Sequence, residues 1–123
     1  MASRFYNRTP WIRGKTLTFP IHNSKVTPPT APSAHTHTCQ VSLKMEALQV
    51  SGSFKDRGIS HMIQTLATPQ IKKVICSSGG NAGNAVAAAC EQLGLPCDVY
   101  VPVTTLPMMI EKIRKRHMTN VHV

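Results

Sequence analysis

Polar and apolar residues alternate from Gln40 to Met45 (Gln-Val-Ser-Leu-Lys-Met), the mark of a half-buried strand. After a short connector, Ile59, Met62, Ile63 and Leu66 recur at helical spacing. Ser53 is a good N-cap type just ahead of that run, and Pro69 closes it. Lys73-Val74-Ile75-Cys76-Ser77 is a short apolar run of the buried-strand kind. Ala85 to Leu93 is an alanine-rich helix, with Gly94 where a left-handed C-terminal residue is expected. Cys97 to Pro102 is a further strand, Pro107 suits the first turn of a helix running to about Met118, and Asn120 begins one more strand.

Strands that alternate with helices predict the α/β class: a parallel open sheet with helices on both faces, in three layers. The N-terminal third reads differently. Residues 1–38 carry Pro20, Pro28, Pro29 and Pro32 among Thr, Ser, Asn and His, a composition that cannot bury enough surface to fold alone. The predicted organisation is an irregular arm over 1–38 and a partial α/β domain over 39–123.

The charge modifies this picture little. The net charge is +9, and the first acidic residue is Glu46, so much of the excess lies in the acid-free N-terminal third. A second basic cluster covers Lys112, Arg114, Lys115 and Arg116, but no aromatic residues interleave with it to stack on bases, so no nucleic-acid partner is expected. No apolar run reaches the roughly 18 residues of a membrane helix, and no membrane partner is expected either. Cys39, Cys76, Cys90 and Cys97 form no CxxC pair and no disulfide framework, which points to a reducing compartment, read as cytoplasmic. The start Met1-Ala2-Ser3-Arg4 is acid-free as transit peptides are, so a mitochondrial address is the alternative. His35, His37 and Cys39 would share one face of a strand, yet they match no zinc spacing and lack a fourth ligand; no metal is expected.

Two stretches carry chemistry. In Ser51-Gly52-Ser53-Phe54-Lys55-Asp56-Arg57-Gly58, a lysine stands where a helix begins. Burial and the helix N–H dipoles disfavour its charge there, and a neutral amine is what condenses with an aldehyde. Ser77-Ser78-Gly79-Gly80-Asn81-Ala82-Gly83 lies between a strand and a helix, so its N–H groups suit an anion such as a carboxylate or phosphate. It has neither the GxGxxG spacing of dinucleotide loops nor a P-loop lysine. Either stretch alone is a weak signal.

In tandem they resemble the fold type II pyridoxal-phosphate family, and within it most closely the L-serine/L-threonine dehydratases and serine dehydratase-like proteins. Leu43-Lys44-Met45-Glu46 with Leu48-Gln49, Leu93 to Cys97, Val101-Pro102 and Ile110 to Arg114 continue the likeness, and Tyr6-Asn7-Arg8-Thr9-Pro10 is similar to the opening of those enzymes. The resemblance covers 39–123 well and 6–13 loosely. It implies a partial tryptophan synthase β-like fold and pyridoxal 5′-phosphate held covalently by Lys55. Lys55 would also act as general base. Asn81 would bond the cofactor's 3′ oxygen, Phe54 would flank its ring, and Ser78, Gly79, Gly80, Asn81 and Ala82 would bind the carboxylate of an amino-acid substrate. The implied reaction is dehydration of L-serine or L-threonine to pyruvate or 2-oxobutanoate and ammonia, in full-length members that are homodimers. The alternatives are threonine synthase, cysteine synthase or serine racemase chemistry, or a non-catalytic interaction fragment.

The chain departs from the family in its N-terminal third. Gly79-Gly80 is its sole adjacent glycine pair, and the family's phosphate-cradling glycines and pyridine-facing serine or cysteine have no counterpart. The expectation is an N-terminal fragment, weakly active or inactive by itself.

Overall fold

A computed structural model describes the backbone over residues 7–20 and 36–123 and the side chains over 7–12 and 39–123. The chain divides into two compact units, residues 10–45 and residues 46–123 with the segment before Pro10.

The first unit is a two-stranded antiparallel ribbon of β1 (Trp11–Pro20) and β2 (Thr36–Lys44), its register running from Trp11 opposite Lys44 to Pro20 opposite Thr36. A shift between Arg13 and Thr16 interrupts the ladder. Lys44 Nζ lies 5.6 Å from the Trp11 ring centroid. Two expectations change here. Trp11–Pro20 is extended and paired, not irregular: its β-branched and aromatic residue types favour a strand, although Gly14 and Lys15 break the alternation that would reveal it. The alternating run at Gln40 is a strand as predicted but pairs with β1, outside the parallel sheet. Alternation is the pattern of a one-sided antiparallel sheet; parallel strands are buried more continuously. His35 and Tyr6 lie outside the described residues.

The second unit holds α1 (Lys55–Leu66), β3 (Val74–Ser77), α2 (Asn81–Leu93), β4 (Cys97–Tyr100), α3 (Pro107–Arg114) and β5 (Thr119–His122). The strands form a parallel sheet in the order β3-β4-β5. This is the predicted α/β class. Because each crossover adds its strand on the same side of the last, right-handed connections put α2 and α3 on one face. The core agrees: Ile63, Val86, Ala87, Cys90 and Ile113 from the helices cluster with Cys97 and Val99, flanked by Val74, Cys76 and Val121. The opposite face of the sheet carries Ile75, Ser77, Asp98, Tyr100, Asn120 and His122. There Ile75 is 68% exposed, and the Tyr100 and His122 rings stack with centroids 4.5 Å apart.

Element ends differ by a few residues from the pattern. Helix α2 begins at Asn81, four residues before the alanine run. It ends at Gly94, whose φ of 66° is the left-handed conformation that residue was expected to supply. Helix α3 stops at Arg114 rather than near Met118, which has φ 60° and turns the chain into β5. No helix among the described residues is long and apolar enough to cross a membrane, and no group of three or more His, Cys, Asp or Glu side chains there could hold a metal ion.

Candidate functional site

Lys55 is the first residue of α1, and Phe54 is its N-cap. Ser53, expected to cap the helix, makes no side-chain cap bond; its hydroxyl is 3.5 Å from that of Ser51. The approach to the helix is fixed instead by Asp56. The Ser51 N–H donates to Asp56 Oδ2 at 2.7 Å, with both residues buried. A carboxylate in a first helical turn also meets the positive end of the helix dipole.

Two residues beyond Lys55, Arg57 forks onto Glu46: Nε donates to Oε2 at 2.9 Å and Nη2 to Oε1 at 2.8 Å. Thr9 Oγ1 donates to Glu46 Oε1 and accepts from Arg57 Nη2, and Gln49 Nε2 donates to Glu46 Oε2. The Arg57 guanidinium, with help from Thr9 and Gln49, holds the Glu46 carboxyl at about 2, below its ordinary 4.5.

The loop after β3 leads straight into α2. Ser78, Gly79, Gly80 and Ala82 are half-buried, and Asn81 is exposed at the first helical position. The Gly80 N–H donates to Ser78 Oγ at 3.3 Å. No side chain caps α2, and the first three N–H groups of a helix have no intrahelical acceptor. Two glycines are required by close approach. A Cβ at Gly83 would strike the Ser78 carbonyl oxygen and stand 3.1 Å from its carbon; one at Gly79 would lie 2.6 Å from Thr105 Cγ2. Thr105, on the loop after β4, therefore packs directly over the loop after β3.

The two motifs meet at a cleft of about 430 Å³ lined by Phe54, Lys55, Arg57, Gly58, Ile59, Met62 and Ala82. Of the predicted site residues, Lys55, Phe54 and Ala82 share this cleft, whereas Ser78, Gly79, Gly80 and Asn81 do not line it. Lys55 Nζ lies 5.0 Å from the Phe54 ring centroid, within cation–π range. Lys55 itself is exposed and Phe54 is 58% exposed, so the burial expected around the amine is not supplied by the described residues. Two other grooves, each of about 490 Å³, are lined by residues of α3 and its neighbours and contain neither motif.

The sequence reading missed Asn84. Fully buried in the first turns of α2, it donates from Nδ2 to the Ser51 carbonyl at 2.9 Å, and its N–H donates to the Gly80 carbonyl at 3.1 Å. The buried Oδ1 atoms of Asn84 and Asp56 have no hydrogen-bond partner among the described residues. A polar asparagine directly ahead of the alanine-rich run is the one sequence signal that could have drawn attention to Asn84.

Comparison with known proteins adds a second line of observation. The family described as "Pyridoxal-phosphate dependent enzyme" matches residues 19–123. The catabolic L-serine/threonine dehydratase of Saccharomyces cerevisiae is 50% identical over 84 residues, which are 63% of this chain and 23% of that protein. The L-serine dehydratase/L-threonine deaminase of Homo sapiens is 46% identical over 79 residues, 64% of this chain and 24% of that one. The solved structure of maize serine racemase superposes with a TM-score of 0.62 at 30% identity, covering 67% of this chain and 25% of that chain. The chain thus spans about a quarter of the length of these two curated relatives.

Proposed function

Because this chain belongs to the pyridoxal-phosphate dependent enzyme family, we propose that it carries the amine-bearing, substrate-side part of an L-serine/L-threonine dehydratase site. The observation that supports this most is the shared cleft: Lys55 and Ala82, one from each motif, line a single cavity of about 430 Å³.

The residues fit one side of pyridoxal 5′-phosphate. Lys55 offers a primary amine at the cleft, Phe54 an aromatic wall beside that amine, and Asn81 a side-chain amide at the neighbouring helix end. The phosphate end finds no second glycine cradle, since Gly79-Gly80 is the sole adjacent pair in the 123 residues. When bound, the group supplies an electron sink for charge developing at the substrate Cα. Lys55 Nζ would hold the aldehyde end of the group, and the same amine, when free, would take the substrate Cα proton as general base. The uncapped N–H groups at the start of α2, with Ser78 and Gly79 beside them, orient the substrate carboxylate. Asn81, exposed at the first position of α2, would offer its side-chain amide to the ring oxygen. The reaction these roles serve is loss of water from a β-hydroxy amino acid, after which hydrolysis of the resulting imine takes the water back and gives an oxo acid and ammonia.

Serine racemase chemistry is the second reading, supported by the superposition on the maize enzyme. Titration of the 15N-labelled chain with L-serine, L-threonine, O-acetyl-L-serine and L-serinol tests the carboxylate role. The three amino acids should shift the Gly79, Gly80 and Ala82 amides, and L-serinol, which lacks a carboxylate, should not. Equal shifts with L-serinol contradict the assignment. Coupled to a pyruvate assay, the same panel separates dehydration from racemisation; the isolated chain should turn over little or no L-serine.

A further inference from the structure

We propose that Asn84 is a positioning residue that holds the lysine turn at a fixed offset from the Asn81 loop; the idea rests on the reading of Lys55 and that loop as one site. Asn84 is 0% exposed and bonded at both ends. Its N–H reaches Gly80 on the loop, and its side-chain Nδ2 reaches the Ser51 carbonyl. The Ser51 N–H in turn meets Asp56 Oδ2, on the residue that follows Lys55. From Gly80 to the start of α1 the connection therefore runs Asn84–Ser51–Asp56, through residues no more than 2% exposed. One residue earlier, Arg116 Nη2 donates to the Val50 carbonyl at 3.0 Å while Nη1 pairs with Glu91 at 3.2 Å, holding the same turn from another side.

Among the described residues the Ser51 carbonyl accepts from no other donor, and a buried carbonyl left unpaired costs more than the bond itself is worth. The turn would move to reach water, and Lys55, four residues on, would move with it. A condensation that needs the amine and the Asn81 amide in register loses that preorganisation.

The test is reductive trapping of the intact chain with pyridoxal 5′-phosphate and borohydride, followed by peptide mapping. The readout is label at Lys55 relative to Lys72, an exposed lysine outside the cleft that serves as the internal reference. In Asn84→Asp, which keeps the shape and removes the donor, and in Asn84→Ala, this ratio should fall several-fold, to about one, while Lys72 label and helix content stay as in the unsubstituted chain. A stability defect would also lower the ratio, because unfolding abolishes the preference for Lys55, so the comparison is made between chains whose helix content and urea midpoint match. An unchanged ratio in folded variants overturns the role of Asn84 and leaves the site reading standing; no excess at Lys55 in the unsubstituted chain overturns the site reading itself. Hydrogen exchange gives a measurement independent of the variants. The Ser51 amide should be protected as strongly as that of Asn84, and fast exchange at Ser51 within a protected α2 overturns the coupling.

Discussion

Arg57 and Glu46, eleven residues apart, face each other through a two-pronged ion pair with contacts of 2.9 and 2.8 Å. The pair ties the first turn of α1, and with it Lys55, to the 3-10 turn Glu46–Leu48. A flexible point charge such as lysine cannot reproduce that fork.

The pair carries a pH signature. Glu46 titrates at about 2 in the folded protein against an ordinary 4.5, with the Arg57 hydrogen bonds as the main cause. Its contribution is whole above about pH 4.5 and is lost as pH falls through about 2. Asp98, held at about 2 mainly by Lys73, and Glu91, lowered mainly by the His117 N–H, act in the same direction. Thermal unfolding should therefore shift to lower temperature on acidification. Glu46→Gln should be less stable at neutral pH and show a shallower acid dependence, converging on the unsubstituted chain near pH 2. Parallel curves would contradict this assignment.

Gly83 and Gly79 should respond differently to alanine. At Gly83 the new methyl meets the Ser78 carbonyl, which is backbone, and Val99 Cγ1 at 3.3 Å. Destabilisation of about 3 kcal/mol or more is expected from such overpacking. At Gly79 the obstacle is the Thr105 side chain, so Gly79→Ala should cost about 1–2 kcal/mol and be largely restored by Thr105→Ala. Urea denaturation of the single and double variants measures both.

The open sheet face predicts a solubility effect. Ile75 is 68% exposed beside Asp98 in the β3–β4 register, and Tyr100 is 46% exposed. Ile75→Lys should change unfolding free energy by no more than about 0.5 kcal/mol and reduce concentration-dependent light scattering. A large stability loss would mean that Ile75 is packed against something.

What the sequence revealed and what it hid divide along the range of the interactions. The apolar run Val74–Cys76, the alanine stretch of α2 and Gly94 were legible because local spacing and one backbone requirement specify them. The lysine and glycine-rich motifs were legible as residue types. Hidden were the partners that only tertiary contact supplies: Thr9 and Glu46 around Arg57, Thr105 over Gly79, and Asn84 against Ser51. Strand β1 stayed hidden because Gly14 and Lys15 interrupt its pattern. The exposure of Lys55 was also unreadable, since a helix-start lysine has the same local sequence whether or not another layer covers it.

The central claim is that Lys55 is the amine of a pyridoxal-phosphate site shared with the Asn81 loop. Reductive trapping with peptide mapping tests it most directly. The account predicts label at Lys55 several-fold above that at Lys72, an excess abolished by a saturating amino acid that occupies the loop. Label spread evenly over the exposed lysines, unmoved by the amino acid, would contradict it.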